Sequence, residues 1–175
     1  MSKSSKIGLL GITGGIGSGK TTVCRIFSVL GIPVFSADLE AGKIEDSNRE
    51  VMEKLNSIAG KDLYTSGKLD RSELAGLVFN NRELLEKVNA AVHPVVFDSF
   101  RMWVGNLNAP YAIMEAAILF ESGANHLVDK VLTIVTPVGE RIDRIVSSHK
   151  FTREEVLKRI GNQIDDAERI RRSDY

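Results

Sequence analysis

Eight consecutive residues near the start of the chain, Gly14-Gly15-Ile16-Gly17-Ser18-Gly19-Lys20-Thr21, match G-x-x-x-x-G-K-S/T in full. Each residue type has a chemical reason. Glycines allow a tight backbone turn in which successive N–H groups converge on phosphate oxygens. Lys20 brings a mobile positive charge to the β- and γ-phosphates of a nucleotide, and the Thr21 hydroxyl is a hard oxygen ligand suited to Mg²⁺. Gly15, Ile16, Gly17, Ser18, Gly19, Lys20, Thr21 and Thr22 are therefore the candidate ATP-binding residues, with Thr21 the candidate metal ligand. A glycine-rich turn that binds nothing has the same letters, so context must separate the two readings.

The context is a strand before the loop and a helix after it. Residues 6–13 read as a short buried strand. Val23, Ile26, Phe27 and Leu30 fall at i, i+3, i+4 and i+7, which predicts an amphipathic helix. Its positive dipole end points at the same anion as the loop. Gly31 stands where a C-terminal cap belongs, and residues 32–35 read as a second strand. Residues 6–35 thus form one strand–loop–helix–strand unit of a parallel α/β sheet.

Asp38 follows the second strand, at the carboxyl edge where open parallel sheets bind ligands. A carboxylate there can orient or deprotonate an attacking hydroxyl. It can equally cap the helix that begins at Leu39, and position alone does not choose between the two.

The rest of the chain supplies scaffolding. Residues 38–103 read as mostly helical. Asp70 and Glu73 suggest a capping-box variant, Leu74, Leu77 and Val78 an apolar face, and Leu84, Leu85, Val88 and Val92 another. The latter helix is expected to stop before Pro94, with a further helix carrying Val95, Val96, Phe100 and Trp103. Residues 105–110 read as a loop, and residues 111–116 and 130–135 as strands covered on both faces. Beyond Pro137 the chain is charged and helical.

Composition narrows the function classes. Apolar residues make up 43% of the 175 residues, and 23 basic residues balance 23 acidic ones. That neutral balance implies neither a nucleic acid nor a membrane partner. Cys24, the single cysteine, allows no internal disulfide and supplies no metal cluster; it reads as a small buried hydrophobe in a cytoplasmic protein. The polar start of the chain predicts neither a signal segment nor a transmembrane span.

Taken together, these landmarks resemble the dephospho-coenzyme A kinase family. Residues 12–22 resemble its opening, and Gly31-Ile32-Pro33-Val34 leads into Ser36-Ala37-Asp38, where the family has Asp-Ala-Asp. Leu69-Asp70-Arg71, His93-Pro94 and Ile118-Leu119-Phe120-Glu121 resemble further motifs. Arg141–Arg144, Thr152-Arg153-Glu154-Glu155 and Gln163 resemble its lid region and the glutamine after it. The resemblance implies a three-layer P-loop kinase fold with a parallel sheet. Within a single domain, the core would take residues 1–37, 104–137 and 166–175, a helical acceptor-binding insert residues 38–103, and a lid residues 138–165.

The activity implied is phosphorylation of the ribose 3′-hydroxyl of dephospho-coenzyme A by ATP with Mg²⁺, in a monomer or weak homo-oligomer. Asp38 would be the aligning or general-base carboxylate, with Lys20 and Arg144 completing the catalytic set. Arg144 would meet ATP on lid closure, although a solvated helix face is the ordinary place for such a residue. Arg71, His93 and Glu121 are candidates for the acceptor side. Each has a structural alternative: a surface ion pair for Arg71, carbonyl contacts at a helix end for His93, and support of a neighbouring helix for Glu121.

Four departures stand out. Ser36 replaces the first Asp of Asp-Ala-Asp, removing a carboxylate; Ala117-Ile118 changes packing only; and Ser148 stands where the family often has a second lid arginine, with Lys150 or His149 as substitutes. The family pattern also continues past the position of Tyr175, with a strand, an Asn-containing loop implicated in adenine binding and a final helix. Two rival readings are a P-loop kinase for another small acceptor, such as a nucleoside monophosphate, and a nucleotide-binding switch. The latter is disfavoured because no base-reading Asn-Lys-x-Asp is present.

Overall fold

A computed structural model describes residues 7–79, 81–148 and 151–175, so the suggested substitutes His149 and Lys150 lie outside the described residues. The chain divides into two compact units. One comprises the residues up to Ser36 together with Asn106–Tyr175, and the other comprises Ala37–Gly105.

The first unit is built on a four-stranded parallel sheet. Its strands are β1 (Gly8–Thr13), β2 (Val34–Ser36), β5 (Tyr111–Glu115) and β6 (Lys130–Thr133), in the order β2-β5-β1-β6. The apolar run of β5 is buried at Ala112, Ile113 and Met114, as a strand covered on both faces requires. The sheet contains the expected β1 and β2, but β5 lies between them.

Helix α1 (Lys20–Val29) starts on the last two residues of the glycine-rich motif. Cys24 packs with Ile12 and Ile113, and Val23 and Phe27 lie against that cluster. The buried stripe therefore runs through Lys20, Val23, Cys24 and Phe27. Ile26 and Leu30, expected on the apolar face, are 56% and 69% exposed. Both belong to the same 3–4 spacing, but the sheet covers only the narrower stripe. Gly31 takes a left-handed φ of 82° just past the helix end, where a cap was expected.

Beyond β6 the first unit carries α6 (Val138–Ser147), α7 (Arg153–Gly161) and α8 (Asp166–Arg172). Thr152 and Glu155 close a reciprocal capping box on α7. After α8 the chain lies along β6: Thr133 N–H donates to Tyr175 O at 2.8 Å, and Asp174 N–H to Val131 O at 2.9 Å.

The second unit is helical, with α2 (Ala37–Ser47), α3 (Arg49–Ala59), α4 (Arg71–Val78) and α5 (Arg82–Gly105). A short antiparallel pair, β3 (Tyr64–Thr65) and β4 (Lys68–Leu69), was not expected from the sequence. Asp70 caps α4 by accepting from Glu73 N–H at 2.9 Å. The box is not reciprocal, because Asp70 N–H donates to Leu63 O and the Glu73 carboxylate pairs with Lys61. Helix α5 runs straight through Pro94, where two helices were expected. A single buried face through Val88, Val92, Val96 and Phe100 compensates for the one backbone donor that proline lacks. No helix of the described residues is long and apolar enough to cross a membrane.

Candidate active site

The loop of residues 14–19 joins the carboxyl end of β1 to the start of α1. Ser18 N–H closes an internal turn onto Gly15 O at 3.0 Å. The N–H groups of Gly17, Gly19 and Thr21 have no hydrogen-bond partner among the described residues. They lie at the positive end of α1, whose first turn carries no acidic residue of its own. The Lys20 ammonium donates to Gly14 O at 2.9 Å, and Lys20 is 9% exposed. Unpaired amides, a helix dipole and a lysine together make an anion site.

Thr21 Oγ1 donates to Glu115 Oε1 at 2.7 Å, and Glu115, the last residue of β5, is buried. No motif in the sequence marks this carboxylate. The available signal was an acidic residue ending an otherwise apolar strand, at the edge where ligands bind. Glu115 also lies directly opposite Ser36 in the β2–β5 pairing, so the carboxylate that Ser36 lacks is present one strand over. Burial, reinforced by the charge of Glu115, pushes the nearby Cys24 thiol up to about 12. Cys24 is thus an inert packing residue, as its sequence context suggested.

Other segments grip the loop from outside. Gln163 Oε1 accepts from Ile16 N–H at 2.9 Å while its Nε2 donates to Ala117 O at 3.4 Å. Thr136 Oγ1 donates to Ser18 O at 3.0 Å. Helix α6 comes close to two glycines of the loop. A Cβ on Gly15 would stand 1.5 Å from Arg141 Nη1, and one on Gly17, whose φ is 79°, would stand 2.9 Å from Arg141 O.

The remaining candidate residues are divided between the two units. Arg144, on α6, is exposed and pairs with Glu140 at 3.0 Å. Glu121 Oε1 accepts from Ile164 N–H at 3.0 Å. Asp38, Arg71 and His93 belong to the second unit. Asp38 is exposed in the first turn of α2, so it lies inside that helix rather than at a cap before it. Arg71 donates to Gly42 O at 2.9 Å and pairs with Asp46 at 3.1 Å and Glu45 at 3.4 Å. His93 is half-buried and stacks on Phe97 with ring centroids 6.1 Å apart; burial lowers its pKa.

The sequence model of the dephospho-CoA kinase family matches residues 8–175. The chain belongs to the dephospho-CoA kinase family. A dephospho-CoA kinase of Porphyromonas gingivalis is 39% identical over 154 residues, spanning 88% of this chain and 76% of that one. One from Chlorobium luteolum is 38% identical over 175 residues, spanning 95% of this chain and 80% of its own. Among solved structures, a Thermus thermophilus protein superposes with a TM-score of 0.85 at 33% identity, covering 97% of this chain and 86% of that one. Dephospho-CoA kinase from Campylobacter jejuni superposes at 0.65 and 30% identity, covering 95% and 85%. The dephospho-CoA kinase resemblance read from the motifs is thereby borne out, and so is the α/β P-loop kinase fold.

Proposed function

We infer that this chain transfers the γ-phosphoryl group of ATP to the ribose 3′-hydroxyl of dephospho-coenzyme A, giving coenzyme A. The observation that carries the reading is the glycine-rich loop, with unpaired N–H groups at a helix start and Lys20 beside them, in a chain matched along residues 8–175 by its family. A loose phosphoryl-transfer transition state asks for positioning and charge stabilisation more than for covalent chemistry. The loop amides and Lys20 hold the transferring end of the triphosphate. Asp38 aligns the acceptor hydroxyl and takes its proton. Arg144 adds positive charge from the lid, and Arg71, His93 and Glu121 serve the acceptor.

Within this reading, residues 38–103 form the acceptor-binding insert and residues 138–165 the lid. Lid closure excludes water, which would otherwise compete as acceptor. Mg²⁺ suits the donor set: Thr21 Oγ1 and Glu115 Oε1 are hard oxygens 2.7 Å apart at the loop. When bound, Mg²⁺ offsets negative charge on the phosphates. Glu115 keeps the Thr21 hydroxyl oriented for that role.

The test is a coupled assay of ATP consumption with dephospho-coenzyme A, run beside nucleoside monophosphates and repeated on Asp38→Asn. Turnover is expected with dephospho-coenzyme A alone. Asp38→Asn should lose it by about 10²-fold or more, with ATP binding kept. Undiminished turnover in Asp38→Asn would remove that residue from its role, and turnover with a nucleoside monophosphate instead would replace the acceptor.

A further inference from the structure

Two arginines of the first unit are buried as completely as core apolar residues. Arg141 is 3% exposed and Arg169 is 1% exposed. Both ion pairs they make among the described residues go to one carboxylate. Arg141 Nη2 donates to Asp166 Oδ2 at 2.8 Å, and Arg169 Nη1 to Asp166 Oδ1 at 2.6 Å. Arg169 Nη2 is further satisfied by Ile164 O at 2.8 Å. The Nε of each arginine is buried with no hydrogen-bond partner among the described residues.

Two guanidinium groups on one carboxylate leave a positive charge in excess. An excess charge away from water is unfavourable unless something completes it. The arrangement is also aimed. Arg141 Nη1 occupies the space a side chain on Gly15 would need, so the guanidinium lies against the backbone of the loop itself. The loop is fixed over it by Gln163 on Ile16 and by Thr136 on Ser18.

We propose that Arg141 is the positioning residue of the phosphate-binding loop, a buried cation that Asp166 holds against Gly15 and that the nucleotide triphosphate completes. Arg169 anchors Asp166 from the other side. The exposed Arg144 already has Glu140 as partner, so besides Lys20 the positive charge held against the loop comes from Arg141. The proposal rests on the kinase reading for the identity of the anion. Its test reads nucleotide affinity, which is separate from acceptor turnover.

The experiment measures binding of a non-hydrolysable ATP analogue with Mg²⁺, and unfolding without nucleotide, for the unmodified chain, Arg141→Met, Arg141→Lys and Asp166→Asn. Arg141→Met should weaken analogue binding about tenfold, the scale of one charge-assisted contact, without lowering nucleotide-free stability. Asp166→Asn should lower nucleotide-free stability, because it leaves both buried guanidinium groups without their counter-charge. If Arg141 merely held the fold together, Arg141→Met would lower stability and leave affinity unchanged. Loss of stability in Arg141→Met with unchanged affinity would overturn the proposal. If Arg141→Met does not fold, Arg141→Lys decides: it keeps the charge and should bind within about threefold of the unmodified chain, and a tenfold loss would overturn the charge assignment. Dephospho-coenzyme A turnover by the unmodified chain is measured in parallel. Its absence, with analogue binding intact, would count against the acceptor and leave Arg141 standing.

Discussion

The hydroxyl of Thr21 donates a 2.7 Å hydrogen bond to Glu115 Oε1, tying the first turn of α1 to the end of a strand 94 residues away in sequence. The bond fixes which way the hydroxyl lone pairs point. Orienting partners of this kind typically change metal affinity or activity by about 10–100-fold when removed. Glu115→Gln keeps the size and one acceptor but loses the charge. It is expected to raise the Mg²⁺ concentration needed for half-maximal turnover by about tenfold or more, with little change in the acceptor KM. A Mg²⁺ titration of initial rates reads this directly, and an unshifted titration would remove Glu115 from the metal side of the site.

The loop was legible in the sequence because its signal is local. A contiguous run of glycines ending in Lys20-Thr21, between a strand and a helix, contains most of its own geometry. Glu115 and Arg141 were not legible as site residues, because their roles depend on strand order and helix approach. Only when β5 lies between β1 and β2 does Glu115 reach Thr21 and stand opposite Ser36. Arg141 reads as one basic residue among several in a charged helix until α6 brings it against Gly15. Pro94 shows the converse error. Its local preference predicts a helix end, yet the buried face on both sides of it carries α5 through.

The close approach of α6 makes Gly17 sensitive in a way its place in the motif does not reveal. Its φ of 79° disfavours any other residue, and a Cβ there would lie 2.9 Å from both Arg141 O and Ile145 Cδ1. A backbone oxygen cannot swing away as a flexible side chain can. Gly17→Ala is expected to destabilise the fold by about 1–3 kcal/mol, through backbone strain and overpacking together. Chemical denaturation measures it. Stability within about 0.5 kcal/mol of the unmodified chain would mean that α6 yields, and the gripped loop described above would lose its support.

His93 gives a prediction in pH. Burial holds its imidazole below the ordinary value near 6.5, because the charged form is disfavoured inside the fold. The unfolded chain therefore takes up this proton first as pH falls. Stability is unaffected by His93 above the ordinary value and declines as pH drops from there toward the depressed folded value. Unfolding free energies measured from about pH 8 down to pH 5 should fall in that window. His93→Gln, which cannot take up the proton, should flatten the slope while leaving the slopes due to carboxylates at lower pH in place. An identical slope in His93→Gln would assign the pH dependence to other groups. A slope of opposite sign would mean that the folded chain holds the charged imidazole, as it would if an acidic partner rather than burial governed the site.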